Sequence, residues 1–323
     1  MRPGHSSGGH EARDTVSADP AFLWACHLDV AARKAGNVGL ASPGHGMQAE
    51  QFIASAAACA GPLCRPGAAV GARIESAVQA SWAVAGCNTN LGIVLLCAPL
   101  AAAHERRPPT GGVQALRRAL AEVLQGLDVA DARAAYRAIA LARPGGLGSS
   151  PEQDVAAPPT VDLRTAMSLA AHRDRIAFQY VHGHADVFEL GLPAFDASLH
   201  AARRAGAPDD AAAATAMQRV YLEFLSAFPD SHIVRKHGWA VAHSVMAEAA
   251  AWRTRARRGE PLDDDPGYVR WDEDLKSRAL NPGTSADLSV AVAFASALCG
   301  RAPLDARTAG EPSVSTESTR HGI

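Results

Sequence analysis

Apolar residues recur at helical spacing along most of the chain. The clearest stripe runs through Val113–Leu127, where an apolar residue returns every three to four positions. Similar stripes follow Asp128, begin at Thr160, cross Met217–Leu225 and follow Asp230. This spacing is typical of helices with one buried face. No alternating run ends in an Asn-Gly or Asp-Gly turn, the strongest short signal for paired strands, so the pattern predicts an all-α fold.

Polar residues within and beside these stripes indicate how the helices begin and pack. Asp128 and Asp230 each precede a stripe, where a carboxylate can cap free backbone N–H groups. The stripe that begins at Thr160 carries Asp174 on its apolar face, and a buried carboxylate needs an ion partner or a metal. The last stretch, Ser285–Leu298, is apolar nearly all round and predicts a central helix.

The domain organisation follows from where this periodicity stops. Residues 1–19 and 301–323 are polar and lack apolar spacing, which predicts two disordered tails around a single multi-helix domain at 20–300. The N-terminus has no apolar segment of a secretory signal. The longest apolar run, Leu91–Ala103, is shorter than the roughly 20 residues of a membrane span. We therefore expect a cytoplasmic protein that does not enter the membrane.

Composition supports helices and argues against some functions. Aromatic residues make up only 5% of the chain, and much of its 48% apolar fraction is alanine, which favours helices over strands. The 31 basic and 33 acidic residues leave a net charge of −2, which argues against nucleic-acid binding. The six cysteines form no CxxC pair and are expected to be reduced core residues. We interpret His182 and His184 as surface or loop residues.

Common nucleotide and hydrolase motifs are absent from the sequence, which has no GxxxxGK[ST], GxGxxG, HExxH or GxSxG. Two polar segments remain as candidates. Asn88-Thr89-Asn90 precedes the long apolar run; one such residue would cap a helix, and three suggest ligand contacts as well. Pro144-Gly145-Gly146-Leu147-Gly148 is either a helix end or a backbone that approaches a phosphate closely.

A third candidate segment, Asn281-Pro282-Gly283-Thr284-Ser285-Ala286-Asp287-Leu288, opens the last helix. Free N–H groups and the helix dipole attract anions to such a start. Asp287 in the first turn either complements the dipole or holds a Mg²⁺ ion that bridges to a phosphate. A phosphate site with Mg²⁺ is our preferred interpretation.

The same segments resemble the triphosphoribosyl-dephospho-CoA synthase family over about residues 22–299. Lys34-Ala35-Gly36-Asn37-Val38 and His45-Gly46-Met47 resemble its Lys-Pro-Gly and His-x-Asp-Met elements, and Asn88-Thr89-Asn90-Leu91-Gly92 resembles its Asn-Thr-His-Lys-Gly. Asp131 with Arg143 and Gly145-Gly146 is similar to its Asp-Thr-Asn and Arg-x-Gly-Gly elements. The most specific element is the segment at 281–288, which is similar to its Pro-Gly-Gly-Ser-Ala-Asp-Leu.

The resemblance implies an all-helical transferase that joins ATP to 3′-dephospho-CoA, expels adenine and keeps the triphosphate. A ribose hydroxyl of the acceptor would attack C1′ of ATP through a transition state that resembles an oxocarbenium ion. Such chemistry needs a carboxylate near the developing positive charge and Mg²⁺ on the phosphates.

The resemblance also implies roles for single residues. Asp131 and Asp287 would hold Mg²⁺ with the triphosphate, and Asp29 or Glu75 would stabilise the cation or activate the hydroxyl. Asp174, from its place on an apolar face, is a further catalytic candidate. Lys34, Arg235 and Lys236 would neutralise phosphates, and Asn88 and Asn90 would position a ribose or base. The other candidates for binding ATP or the acceptor are Asn37, His45, Arg143, Gly145, Gly146, Asn281, Gly283 and Ser285.

Departures from the family pattern leave the acceptor open. Ala35 replaces the proline, Gly46 the aspartate, Asn90-Leu91 the His-Lys pair and Thr284 a glycine. The same transfer to another coenzyme precursor, for example in one-carbon metabolism, is therefore an alternative. So are a Mg²⁺-dependent ADP-ribosyl or nucleoside hydrolase, and a helical module that binds an acyl-carrier protein or a nucleotide without turnover.

Overall fold

The computed structural model describes residues 17–107, 111–146 and 152–301. Fourteen α-helices and one π-helical segment account for most of this part, which contains isolated β-bridges at 39–42 and 44–47 but no strand. The all-α prediction is confirmed. The predicted tails lie outside the described residues, apart from positions 17–19 and 301.

The helices are α1 (Asp19–Ala31), α2 (Ala49–Cys64), α3 (Val70–Ala85), α4 (Leu91–Arg106), α5 (Gly112–Gln125), α6 (Val129–Ala142), α7 (Leu163–Ala170), α8 (Arg175–Val181), α9 (Leu192–Arg204), α10 (Asp209–Ala227), α11 (Ser231–His237), α12 (Trp239–Arg257), α13 (Pro266–Ser277) and α14 (Gly283–Leu298), with the π-helical segment Asp186–Gly191 between α8 and α9.

The last helix, α14, lies at the centre of the bundle, as its apolar sequence predicts. It packs against α1, α4 and α10, and all of its residues except Gly283 and Asp287 are buried. Its buried hydroxyls find partners nearby; Ser289 Oγ, for example, donates to Ser285 O at 2.8 Å. Because α14 is enclosed so completely, a carboxylate in its first turn must either be paired or face a cavity.

Two helices predicted from single stripes are each divided in the structure. The stripe that begins at Thr160 forms α7 and α8, and Asp174 is the N-cap of α8, where its Oδ1 accepts hydrogen bonds from the backbone N–H of Ile176 and Ala177. Placing Asp174 within a helix on its core face was therefore wrong. The stripe after Asp230 is divided between α11 and α12 at Gly238, which has φ of 84°. Both predicted caps, Asp128 and Asp230, are confirmed.

The loop between α1 and α2 is fixed by the buried Asp272 of α13. Its Oδ1 accepts from Gly36 N at 2.8 Å, and its Oδ2 accepts from Ser42 Oγ at 2.6 Å. Gly36 has φ of 79°, and a Cβ there would lie 2.8 Å from Leu280 O, so only glycine fits. The loop that carries Lys34 and Asn37 is thereby held beside the start of α14.

Two expectations about sulfur and imidazole groups have different outcomes. All six cysteines are free thiols, four of them buried, as predicted. His184 lies in the turn between α8 and the π-helical segment, as a loop residue would, but it is fully buried rather than on the surface; its Nε2 lies 3.1 Å from Leu96 O in α4. None of the helices described here is both long and apolar enough to cross a membrane.

Candidate active site

A pocket opens where the first turns of α4 and α14 meet the loop after α1 and parts of α6, α7, α8 and α11. Segments far apart in the chain converge on it. The candidates from the sequence that line this pocket are Asp29, Asn37, Asn88, Asn90, Gly145, Asp174, Arg235, Asn281, Gly283 and Asp287. The pocket also has an apolar wall, to which α6, α7 and α8 contribute Tyr136, Ile139, Met167, Leu169 and Ile176.

Asp287 lies in the first turn of α14, and part of its surface faces the pocket. None of the described residues donates a hydrogen bond to its carboxylate. Burial, and then the negative charges of Asp29 and Asp230, raise the pKa of Asp287 well above its ordinary value, while Arg235 and Lys34 act in the opposite direction. A cation that reached this carboxylate would therefore relieve an unfavourable charge.

Asp230 is fully buried and ties the first turns of α11 and α14 together. One carboxylate oxygen accepts from the backbone N–H of His232 and Ile233, and the other accepts from Ser285 N and Ser285 Oγ, both at 2.8 Å. Ser285, which the resemblance marks for binding, is thus engaged in an internal link between helices. This link fixes Arg235 of α11 relative to Asp287 of α14.

Asp29 belongs to a chain of buried polar groups along the pocket wall. Lys34 Nζ lies 2.9 Å from Asp29 Oδ1, and it donates to Asp29 O at 2.7 Å and to Asn37 Oδ1 at 2.9 Å. Asn37 Nδ2 in turn donates to Asn281 Oδ1 at 2.9 Å. Lys34 does not line the pocket; its ammonium donates to two protein oxygens and forms an ion pair with Asp29, so here it supports the wall rather than binding a phosphate.

Basic side chains gather at the α11 side of the pocket. Arg235 Nη1 donates to Asp174 Oδ2 at 2.7 Å, so the ion partner expected for Asp174 is Arg235. Lys236 extends beside Gly145, where a Cβ would lie 2.9 Å from Lys236 Cε. At Gly146, which has φ of 74°, a Cβ would lie 2.6 Å from Arg235 O, so these glycines allow the turn after α6 to pack on α11.

Two histidines lie near these basic groups. Burial lowers the pKa of His232 to about 3, and the charges of Lys236 and Arg235 add to the effect. Burial also lowers the pKa of His45, although a hydrogen bond between His45 Nε2 and Gly36 O, at 2.7 Å, opposes the shift. His232 lines the pocket and His45 lies behind it in the α1–α2 loop.

The Asn88-Thr89-Asn90 segment is used largely for structure. Asn88 Oδ1 accepts from Leu91 N at 3.1 Å and so caps α4. Asn90 Oδ1 accepts from Ser81 Oγ at 2.8 Å, and its Nδ2 donates to Cys59 Sγ. Thr89 Oγ1 donates to Ser55 Oγ at 2.7 Å. The capping interpretation and the ligand interpretation are compatible, because all three residues still border the pocket.

Three of the candidates that do not line the pocket are engaged elsewhere on the surface or in a helix cap. Glu75 makes two 2.6 Å hydrogen bonds with Arg137 on the outer side of α3 and α6. Asp131 accepts from Gly71 N at 2.7 Å and from Asp128 N at 3.2 Å. Since Asp131 is a helix-capping residue outside the pocket, the structure does not bring it together with Asp287 around one ion. Arg143 is exposed at the left-handed end of α6, with φ of 46°.

Sequence reasoning missed two residues that shape the site. Gly92, in the first turn of α4, packs directly against the carboxylate of Asp287, and a Cβ there would clash with it. The signal was a glycine inside an otherwise continuous apolar helix. His232 was also missed, although it follows a capping aspartate and opens the basic run that ends at His237.

Comparisons with known proteins give a family and a fold for this chain. A family described as ATP:dephospho-CoA triphosphoribosyl transferase matches residues 17–304. A crystal structure from Archaeoglobus fulgidus, named as a putative triphosphoribosyl-dephospho-CoA synthase, is 23% identical with a TM-score of 0.57. That match covers 77% of this chain and 98% of the other, and at this identity it supports the fold alone. No curated protein is significantly similar.

Proposed function

This chain belongs to the ATP:dephospho-CoA triphosphoribosyl transferase family, and from that premise we propose the reaction its pocket catalyses. The triphosphoribosyl group of ATP is transferred to a ribose hydroxyl of 3′-dephospho-CoA, and adenine is released. The bond that breaks is the glycosidic bond of ATP rather than a phosphoanhydride.

The observation that carries this proposal is the mixed lining of one pocket. An apolar wall that includes Ile139, Met167 and Ile176 offers contacts for a purine ring. The polar part of the lining combines the carboxylate of Asp287 with the guanidinium of Arg235. A nucleoside triphosphate bound with Mg²⁺ has the same two parts, one apolar and planar, the other charged.

Asp287 fits a Mg²⁺ ion on the evidence of its own surroundings. Its carboxylate receives no hydrogen bond from the described residues, and neighbouring carboxylates make its negative charge unfavourable without a cation. The described residues contain no cluster of three or more His, Cys, Asp or Glu side chains that could hold a metal. Mg²⁺ is commonly held by one or two carboxylates together with substrate phosphates, which matches this sparse donor set. When bound, Mg²⁺ would offset the charge of the phosphates.

Residues of the pocket rim orient the triphosphate in this proposal. Arg235 is held in place by Asp174, so its guanidinium has a fixed position before ATP binds, and the exposed Lys236 beside Gly145 supplies a second cation. Preorganised charges contribute more to a reaction than flexible ones, because they need no reorganisation as charge develops.

The acceptor is the least constrained part of the proposal. Leu91 lines the pocket, and the amide of the adjacent Asn90 is tied to Ser81 and Cys59. Where the family motif quoted above has a histidine and a lysine, this chain therefore offers no cation. That observation favours, as a second candidate, the same transfer to a different coenzyme precursor.

The test is to separate the products formed by purified protein with ATP, Mg²⁺ and dephospho-CoA. We expect free adenine and an equal amount of triphosphoribosyl-dephospho-CoA. Coenzyme A, in which a phosphate blocks one ribose hydroxyl, is a matched control acceptor. ADP or AMP in stoichiometric amounts would contradict the proposed bond cleavage.

Other outcomes of the same assay separate the alternatives. Adenine and free ribose triphosphate without any acceptor would identify a hydrolase. Binding of ATP without adenine release from any mixture would identify a binding module. Adenine release with another coenzyme precursor, but not with dephospho-CoA, would keep the chemistry and change the acceptor.

A further inference from the structure

The polar chain behind the pocket determines which way its amides face. A lysine ammonium can only donate hydrogen bonds, so Asn37 must turn its oxygen to Lys34 Nζ, at 2.9 Å. Asn37 Nδ2 then faces Asn281, which must present its own oxygen, also at 2.9 Å. Asn281 Nδ2 is left as a donor with no partner among the described residues, in a side chain that lines the pocket.

Asp29 lies at the other end of this chain, where Lys34 fixes the position of its carboxylate. Its Oδ1 is buried and accepts no hydrogen bond of good geometry, although the charged Lys34 Nζ lies 2.9 Å away. Asp29 lines the pocket, and because Oδ1 is buried, the oxygen left to face the pocket is Oδ2, which accepts no hydrogen bond from the described residues. Burial raises the pKa of Asp29, and Lys34 opposes that rise. A carboxylate with a raised pKa is more basic than one in water, which suits proton abstraction.

The other titratable groups of the pocket are engaged differently. Asp174 caps α8 and pairs with Arg235. Asp287 lies within the influence of Arg235 and is the better group for a cation. His232, with a pKa of about 3, is too weak a base. Asp154 accepts from Ala156 N in the loop at 152–155, where Glu152 is exposed.

We propose that Asp29 is the general base that accepts the proton of the attacking ribose hydroxyl. The pocket wall carries an acceptor, Asp29 Oδ2, and a donor, Asn281 Nδ2, at the two ends of one polar chain. The acceptor can bind the hydroxyl of a sugar, and the donor can bind a second oxygen of the same sugar. Lys34 and Asn37 are positioning residues, because they act only through the groups they orient. The assignment rests on the proposed function and names the residue that the acceptor hydroxyl contacts.

The step balances within the two substrates. The hydroxyl oxygen forms a bond to C1′ of ATP while its proton moves to Asp29 Oδ2. The C1′–N9 bond breaks, and its electron pair leaves with adenine. Adenine takes up one proton and Asp29 releases one, so that the net reaction moves the hydroxyl proton to the purine.

The first test compares adenine release by wild type and Asp29→Asn with Mg·ATP and dephospho-CoA. Loss of a general base should lower turnover by about 10²- to 10⁴-fold. The rise in melting temperature on adding Mg·ATP should stay as in wild type. Because the neutral amide of Asp29→Asn would leave Lys34 without a counter-charge, the double variant Asp29→Asn/Lys34→Met guards against a folding defect. Asp274→Asn, an exposed carboxylate change on α13, is the matched control and should turn over normally.

The second test uses azide, a nucleophile that has no proton to lose. In Asp29→Asn, azide should restore adenine release from Mg·ATP, because attack by azide needs no base. If azide does not restore it, Asp29 does not act as a base. A folded double variant that transfers to dephospho-CoA within tenfold of wild type would likewise overturn the assignment. An inactive wild type would instead overturn the proposed function, so the two failures are distinguishable.

Discussion

At the scale of single residues, the floor of the pocket depends on a contact that only glycine allows. Gly92 in α4 lies against the carboxylate of Asp287 in α14, and a Cβ there would also lie 2.8 Å from Ile176 Cδ1. Because α4 and α8 are both packed at this point, neither neighbour can move away easily. Glycine therefore lets three helices meet around one acidic group.

The first prediction concerns Gly92→Ala. Overpacking should lower the free energy of unfolding by about 1–3 kcal/mol. It should also weaken the stabilisation by Mg·ATP, because Asp287 is displaced. Gly61→Ala in α2 is the control: a Cβ there meets no atom within 4 Å, and alanine should raise helix stability by up to about 1 kcal/mol. Urea unfolding with and without Mg·ATP measures the free energy of unfolding and the stabilisation by the nucleotide for each variant. Wild-type values for Gly92→Ala would show that Asp287 is not confined by α4.

The second prediction concerns Asp287→Asn, which keeps the shape of the side chain and removes its charge. Since burial already disfavours the charge, melting without nucleotide should be unchanged or slightly higher. If Asp287 holds Mg²⁺, the stabilisation by Mg·ATP should disappear; for wild type it is about 2.7 kcal/mol at a hundredfold excess over Kd. Adenine release should fall sharply with it. If the variant kept both the stabilisation by Mg·ATP and adenine release, Asp287 would only complement the helix dipole.

At the scale of elements, the breaks between helices decide which side chains reach the pocket. The apolar stripe stays in phase from α7 into α8, so periodicity alone predicts one helix. The chain turns at Asp174 because that carboxylate caps α8 and meets Arg235, which is 61 residues away. A partner at that separation leaves no trace in a local pattern. Gly238 similarly separates α11 from α12 without interrupting the stripe.

The third prediction concerns the link between α11 and α14. Asp230→Ala removes an N-cap, which costs about 0.5–2 kcal/mol, and leaves the buried N–H of Ser285 without a partner, which costs about 1–3 kcal/mol more. Asp162→Ala removes a cap of α7 that serves its own helix only, so its loss should stay within about 0.5–2 kcal/mol. Urea unfolding compares the two. Equal losses would show that Asp230 does not join the two helices.

At the scale of the whole molecule, the sequence predicted the class of fold and the central position of α14, because both depend on composition and period. Ten of the candidate residues chosen from the sequence line one pocket, because the motifs that contain them meet around it in the fold. The sequence did not separate these from Asp131 and Glu75, whose carboxylates serve a helix cap and an outer ion pair. Whether a carboxylate faces a cavity depends on packing among distant helices, which no local pattern records.

The pH dependence of stability combines opposing groups across the molecule. Burial raises the pKa of Asp29, Asp230 and Asp287, so the folded state binds protons there more tightly, and this favours folding as pH falls. Burial lowers the pKa of His184 to about 4 and of His232 to about 3, which has the opposite sign. The measured dependence of stability on pH is therefore the sum of these opposing contributions. The contribution of a single histidine is obtained only by comparing a variant with wild type at each pH.

The fourth prediction uses His184, whose neutral ring contacts Leu96 O of α4 through Nε2. In the unfolded chain it takes up a proton near pH 6.5, whereas the folded chain resists protonation down to about pH 4. Between these values the unfolded state binds more protons, so the free energy of unfolding decreases as the pH is lowered. From pH 7.5 to 5.0 this costs wild type about 2 kcal/mol.

His184→Gln keeps a donor for Leu96 O and cannot titrate, so it should not incur that penalty. Relative to wild type, the variant should gain about 2 kcal/mol of unfolding free energy between pH 7.5 and pH 5.0, whatever its stability at pH 7.5. Urea unfolding at the two pH values measures the change, and His172→Gln, at an exposed position, is the matched control. Parallel losses in wild type and His184→Gln would mean that His184 is protonated in the folded protein, and that its contact with α4 opens before the bundle unfolds.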